Sequence, residues 1–379
     1  MAKIYLPTSQ QADETNRQLA LIAKALGAQI DTATWAGVQK AVRAGIAPEQ
    51  FPIGTQLVVN HSKYGERLYD VVAHNYLKSV RDPDAPTMTL MQHDLIEGTQ
   101  FDRPEALYYA ETELASGTYN FTFGTYDKWV GGTYQFTLVQ AVPAGGQICI
   151  TGQYPYQGNI TAAKVSTYAS KTSTSAIESN IEITEGSNGT ALGTCGEVAT
   201  LNHIQRVAYG SNNYKESAVR QFLNSSAAAG SVWTPQTKFD RPPDWNTNRD
   251  GFMKGLDADF LAVVGAVTLP CSANNIYESP DSTITKGTAY TLNDKFYLAS
   301  RAEVFNSHDV NDGSVLFPYY EGAVNADCIK YRDGSAALWW LRTPYSGNAY
   351  RVRLVNSDGT LITSSASIAD GLAPACTIV

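Results

Sequence analysis

Charge is scarce in this 379-residue chain: Asp, Glu, Lys and Arg make up 17% of it, and no run of Lys or Arg occurs. The formal net charge is −8. Nucleic acids and anionic membrane surfaces are held by a concentrated basic face, so neither is expected as a partner. Long apolar runs are missing too. The longest, 260–269, is about half of the roughly 20 residues that span a bilayer. The first eight residues hold no apolar stretch of signal-peptide length. Cysteines are few and scattered, at 149, 195, 271, 328 and 376. An odd number without close pairs fits neither a disulfide framework nor a zinc site; reduced thiols acting as small buried hydrophobes are expected, and with them synthesis and folding in a bacterial-type cytoplasm.

Signatures of catalysis are also lacking. There is no phosphate loop, nucleophile elbow or His-Glu-x-x-His helix. The histidines at 61, 74, 93, 203 and 308 lie far apart and read as structural or surface residues. Asp309-Val310-Asn311-Asp312-Gly313 hints at a calcium loop, but the glycine comes one place early and Tyr320 stands where a bidentate Glu is needed. No catalytic residue, metal ligand or cofactor is therefore nominated.

One absence is local. Residues 345–372 contain no Lys, Glu, Gln, Met or Trp, types that number 14, 15, 17, 4 and 6 in the chain, together 56 of 379. At that frequency the 28 positions would hold about four. A surface hairpin of turn-formers disfavours Met and Trp but explains the loss of Lys, Glu and Gln poorly.

What is abundant is Tyr (22), Gly (30), Ser and Thr, a β- and loop-rich profile in a chain long enough for two to three domains. Two short helices are expected first. One covers 8–27, capped by Thr8 or Ser9, with Leu19, Ile22, Ala23 and Leu26 on one face and Gly27 as its stop; the other runs from a Thr34 cap through Trp35, Val38, Ala41 and Val42 to Gly45. Their apolar stripes must pack either on their own chain or on sister copies, so 1–46 reads as a docking or oligomerisation segment. Strands are expected near 54–59, 68–74 and 88–91. Between 112 and 196 short strands recur at about ten-residue spacing, and two Gly-Thr-Tyr-x-Phe-Thr segments suit neighbouring strands of a β-sandwich. A helix over 215–224, a buried run over 260–269 and the segment 295–305 follow. In the last fifty residues, Trp339 and Trp340 should point to opposite faces of a strand, one into the core and one toward an outer face or loop. A strand over 349–355 leads to Asp358-Gly359, the strongest hairpin signal in the chain, and Leu361 starts the return strand.

The segments Tyr214-Lys215-Glu216-Ser217-Ala218-Val219-Arg220-Gln221-Phe222-Leu223-Asn224, Lys295-Phe296-Tyr297-Leu298-Ala299-Ser300 and Trp339-Trp340-Leu341-Arg342-Thr343-Pro344, with Gly371-Leu372-Ala373-Pro374-Ala375, resemble a known family. It is that of C-type-lectin-fold proteins of phages and bacteria, often the variable proteins of diversity-generating retroelements and related by fold to phage tropism determinants. The resemblance implies an α+β chain: a C-type lectin fold over 47–111 and 197–379, an antiparallel β-sandwich inserted at 112–196, a short N-terminal helical segment and a variable region within 331–379. It also gives the missing residue types a cause, since mutation of template adenines in Asn codons never produces those five. By the same resemblance the variable, ligand-binding positions are Tyr345, Asn348, Arg351, Leu354, Asn356, Ile362, Thr363, Ser364, Ser365, Ser367, Ile368 and Asp370. Trp339, Trp340, Arg342, Pro344, Asp358, Gly359, Gly371 and Pro374 form the fixed scaffold. Strand alternation supports Arg351 and Arg353 outward with Val352 inward, whereas Leu354 and consecutive positions 362–365 need irregular backbone. With Tyr345 and Tyr350, the two arginines are the available anchors.

The function implied is ligand or receptor binding on a phage virion or bacterial surface, with a cell-surface protein or glycan as partner and a homo-oligomer as a further expectation. Two rivals stand beside it. One is a structural virion or surface protein that binds carbohydrate through the β-sandwich. The other is an enzyme of the formylglycine-generating type, although Cys328 and Cys376 do not sit in a matching motif.

Overall fold

The computed structural model describes residues 31–103, 211–235, 242–274, 288–347 and 350–379, six strands between 108 and 184, and a few isolated positions. The helix expected over 8–27, Asn348, Cys195 and His203 lie outside the described residues. Helix α1 (Trp35–Arg43) forms as its sequence suggests: the Thr34 hydroxyl caps it by accepting the Gly37 N–H. Val38, Ala41 and Val42 are buried, and the Trp35 ring meets Phe260 at 4.7 Å. This helix therefore packs on its own chain, joined by the one-turn α2 (Ala47–Gln50).

Four strands follow: β1 (Gln56–His61), β2 (Gly65–His74), β3 (Met88–Gln92) and β4 (Ile96–Gln100). Within 108–184 lie β5 (Tyr108–Tyr109), β6 (Gly117–Phe123), β7 (Gly132–Leu138), β8 (Gln147–Gln153), β9 (Ala162–Tyr168) and β10 (Ala176–Thr184). They join antiparallel in the order β5-β8-β9-β10-β7-β6. The two Gly-Thr-Tyr segments are neighbours there, with Tyr119 opposite Phe136.

Beyond them come α3 (Ala218–Leu223) and α4 (Ala258–Val263), then β11 (Val267–Cys271), β12 (Tyr290–Asp294) and β13 (Phe296–Tyr297), and next α5 (Arg301–Phe305). The apolar run 260–269 divides between α4 and β11. The last strands are β14 (Lys330–Arg332), β15 (Ser335–Ala337), β16 (Trp339–Pro344), β17 (Arg351–Val355), β18 (Leu361–Ser365), β19 (Ala369–Leu372) and β20 (Ala375–Ile378).

Two five-stranded sheets organise the rest: β1-β2-β3-β20-β13 and β18-β17-β16-β19-β4. The architecture is α+β and mostly antiparallel, with β16 and β19 the parallel pair. Both sheets mix strands from before and after 108–184, since β3 pairs β20 and β4 pairs β19. The turn from β3 to β4 links the sheets. It is held by Lys330, whose buried ammonium donates to the Gln92 and His93 carbonyls at 2.8 and 2.9 Å over the Trp339 ring. Burial pushes that ammonium down to about 8.

The β1–β2 turn has a comparable device. His61 donates Nε2–H to the Phe252 carbonyl at 3.0 Å, while Nδ1 accepts the N–H groups of Lys63 and Tyr64. Only the neutral ring can do both, and burial holds the imidazole below its ordinary value. Cys271, Cys328 and Cys376 are buried free thiols. No helix among the described residues is long and apolar enough to cross a membrane.

Candidate functional site

The candidate site rests on β16, whose six residues are all buried. An interior strand covered on both faces has no outer side. Trp339 and Trp340 therefore both lie fully buried, unlike the division between core and outer face expected from their alternation. Each indole N–H finds a carbonyl, Trp339 that of Cys328 at 3.1 Å and Trp340 that of Thr99 at 3.0 Å. Arg342 enters the core with them. It donates to both Glu303 oxygens at 2.5 and 2.7 Å and to the carbonyls of Leu298 and Pro270. Burial alone would lower its pKa, but Glu303 outweighs that and holds the guanidinium above its ordinary value. Glu303 is fixed in turn by a capping box with Ser300 at the start of α5.

From this base the chain runs through 345–350 into the β17–β18 hairpin. Its turn is the expected Asp358-Gly359: Gly359 takes φ +82°, and a Cβ there would lie 1.7 Å from the Asn325 carbonyl oxygen. The Asp358 carboxylate accepts the N–H and hydroxyl of Thr360. Pro344, Gly371 and Pro374 are buried. A Cβ on Gly371 would meet Leu95 at 2.7 Å.

The register of β17 on β18 sorts the proposed ligand-binding positions into two groups. Arg351 lies opposite Ser365 and Arg353 opposite Thr363, so these four share one face. Tyr345 joins them, its ring 4.8 Å from the Arg353 guanidinium, and Ser367 and exposed Ile368 follow in the turn after β18. Leu354 is a correction. It is fully buried, because regular alternation places it with Val352 rather than on the outer face. Ile362 and Ser364, opposite Leu354 and Val352, share that inner face, and Ile362 packs against the core. Asn356 is half-buried and serves the turn, accepting the Ser357 N–H. Asp370 sits on β19, with β17 and β16 between it and β18. Among the described residues its Oδ2 has no hydrogen-bond partner, and burial raises its carboxyl above the ordinary value.

The outer face carries a cluster that the sequence did not disclose. Arg353 holds Asp309 through two hydrogen bonds of 2.6 and 2.7 Å, Arg301 holds the same carboxylate at 3.0 Å, and the Ser346 hydroxyl reaches it at 3.3 Å. Burial would raise the Asp309 carboxyl, but the two guanidiniums outweigh it and leave it below its ordinary value. Asp312 accepts the Ser272 hydroxyl and the Ser314 N–H. The calcium-loop hint at 309–313 is thus occupied by internal donors. Asn212 completes the frame by donating to the Tyr345 and Arg351 carbonyls. The only signals available for these contacts were the arginines themselves, since Asp309 lies 44 residues from Arg353.

Residues 187–379 match the family described as a domain of unknown function, DUF6273. The chain belongs to the DUF6273 family. The matched region holds β11 to β20, but the sheets it builds are completed by β1 to β4 from outside it. No curated protein matches the chain. No solved structure does either.

Proposed function

We propose that this DUF6273 chain is a non-catalytic display protein whose C-terminal segment, about 345–370, binds a cell-surface protein or glycan and is diversified by a retroelement. The observation that carries this reading is the sorting of side chains in the hairpin. Arg351, Arg353, Thr363 and Ser365 share one face, while Trp340, Val352 and Leu354 on the opposite face are fully buried. A face whose side chains can be exchanged over a fixed core suits recognition, because affinity is carried by a few anchors and the surrounding contacts are nearly neutral. The absence of Lys, Glu, Gln, Met and Trp across 345–372 supports the mode of diversification.

The proposed architecture is a C-type lectin fold over 47–111 and 197–379, interrupted by a β-sandwich at 112–196 that serves as spacer or second binding surface. Its support is the pairing of β3 with β20 and of β4 with β19 across the interruption. The segment before α1 would attach the protein to a phage particle, or alternatively to a bacterial surface, since α1 packs on its own chain. Exchanging Arg351, Thr363, Ser365, Ser367 and Ile368 together tests the function. An unchanged fold with altered binding to host cells supports it; unaltered binding refutes it. Sequencing the neighbouring DNA tests the diversification, which requires a near-copy of codons 331–379 that differs at adenines beside a reverse-transcriptase gene.

A further inference from the structure

We infer that the open edge of β18 binds an extended polypeptide segment of a protein partner by strand addition, through main-chain hydrogen bonds that side-chain exchange does not touch. This rests on the display reading above and deepens it, because it selects a protein over a glycan. β18 is the terminal strand of its sheet. The Ala366 N–H bonds the Tyr350 carbonyl, and the Asn356 N–H bonds the Thr360 carbonyl, each at 2.8 Å. These bonds place the hydrogen-bonded pairs of the hairpin at 350–366, 352–364, 354–362 and 356–360. Leu361, Thr363 and Ser365 therefore turn their backbone groups away from β17. Among the described residues nothing pairs with the N–H of Leu361, Thr363 or Ser365, or with the carbonyls of Leu361 and Thr363. The Ser365 carbonyl accepts the Ile368 N–H.

Proteins blunt such edges with Lys, Pro, bulges or a covering segment. Leu361-Ile362-Thr363-Ser364-Ser365 contains no charge and no Pro, and its pairing with β17 runs without a register shift. The end of β1 shows the contrast: residues 255–257 cover Asn60–Ser62, with the Asp257 N–H on the Asn60 carbonyl and the Ser62 N–H on the Gly255 carbonyl. The free groups of β18 recur about every 6.6 Å, two residues of extended chain. Another extended polypeptide reproduces that alternation of N–H and C=O; a sugar ring does not. Thr363 and Ser365 also turn their side chains to the outer face beside Arg351. The same strand thus offers a constant main-chain contact and variable side chains, the division of labour known in edge-strand recognition.

The test uses the full chain and a displayed library of random twelve-residue peptides as probe. Selected peptides are made synthetically and N-methylated one position at a time. The expected result is a period of two: methylation at alternate positions weakens binding about tenfold, the loss of roughly one hydrogen bond, and the positions between change little. Thr363→Pro removes an outward N–H without touching the ladder to β17 and should bind about tenfold more weakly than Thr363→Val, which changes the same side chain and keeps the N–H. The N-methyl scan decides the matter if Thr363→Pro fails to fold. Peptides that bind without the two-residue period, yet lose binding when Arg351, Ser367 and Ile368 are exchanged, overturn the edge and leave the display reading standing. Peptides indifferent to all these exchanges, or no selected peptides at all, overturn the edge, and the former also overturn the display reading. A dimer that sedimentation shows dissociating in Thr363→Pro means that a second copy closes the edge, which refutes a peptide partner.

Discussion

Arg342→Met removes the cation from a pair whose side chains are 1% and 0% exposed. Glu303 keeps the Ser300 N–H at 2.7 Å but loses two charged bonds, and the carbonyls of Leu298 and Pro270 lose a donor. Stranding one half of a buried pair costs about 3–5 kcal/mol, and each orphaned carbonyl adds about 1 kcal/mol. The sum, about 5–7 kcal/mol, is a large part of the 5–15 kcal/mol that holds a typical domain together. At about 2–4 °C per kcal/mol for a domain of this size, melting should fall by roughly 10–28 °C. Replacing both partners, Arg342→Met with Glu303→Met, leaves no unpaired charge. It should cost only about 2–4 kcal/mol, from the lost capping box and the two carbonyls that still lack a donor. Urea unfolding of both single variants and the double variant gives the coupling directly. The reasoning is refuted if the double variant loses as much as the two singles added together, because the charges would then act independently.

Four further outcomes are expected. Exchanging Arg351, Thr363, Ser365, Ser367 or Ile368 singly should move stability by no more than about 0.5 kcal/mol, whereas Leu354→Ala on the same hairpin should cost about 2–5 kcal/mol by urea unfolding. Gly359→Ala places a methyl group against Asn325 at a positive φ; a loss of about 3 kcal/mol or more is expected, and a neutral result would refute the close approach of the turn to Asn325. His61 has a depressed pKa, so its contribution is complete above the unfolded value near 6.5 and is lost as pH falls through that value toward the folded one. Urea midpoints between pH 7.5 and 5 should therefore fall more steeply for wild type than for His61→Gln. Lys330 behaves in the same sense at high pH. Its folded value of about 8 lies below the unfolded value near 10.4, so its contribution to stability should rise between those pH values, and Lys330→Met should flatten that rise.

Local pattern carried a good share of this. Thr34 and Gly45 bracketed α1, Asp358-Gly359 marked the hairpin, and the twin Gly-Thr-Tyr segments found each other as β6 and β7. Period-two alternation placed Arg351 and Val352 on opposite faces, and it placed Leu354 better than the family pattern did. What stayed hidden depends on neighbours distant along the chain. The order of strands in a sheet decides whether both faces of β16 are covered, and no property of Trp339-Trp340 itself reveals that order. The partners of Arg342 and Arg353 stand 39 and 44 residues upstream, beyond any helical or strand period. The run 260–269 was ambiguous for another reason: ten apolar residues suit a helix or a strand equally, and the chain uses both.

The position of β20 has a consequence for how such a chain is made. That strand lies between β3 and β13, so the first sheet is split until Ala375–Ile378 have left the ribosome. A stop codon or frame error anywhere in 345–370 also deletes this wedge, and the truncated product keeps the β1-β2-β3 ladder with an open edge at β3 and leaves β13 without its sheet partner. The reading frame of the hairpin just upstream is thereby proofread by folding itself: only products translated in frame through Ile378 can close the sheet.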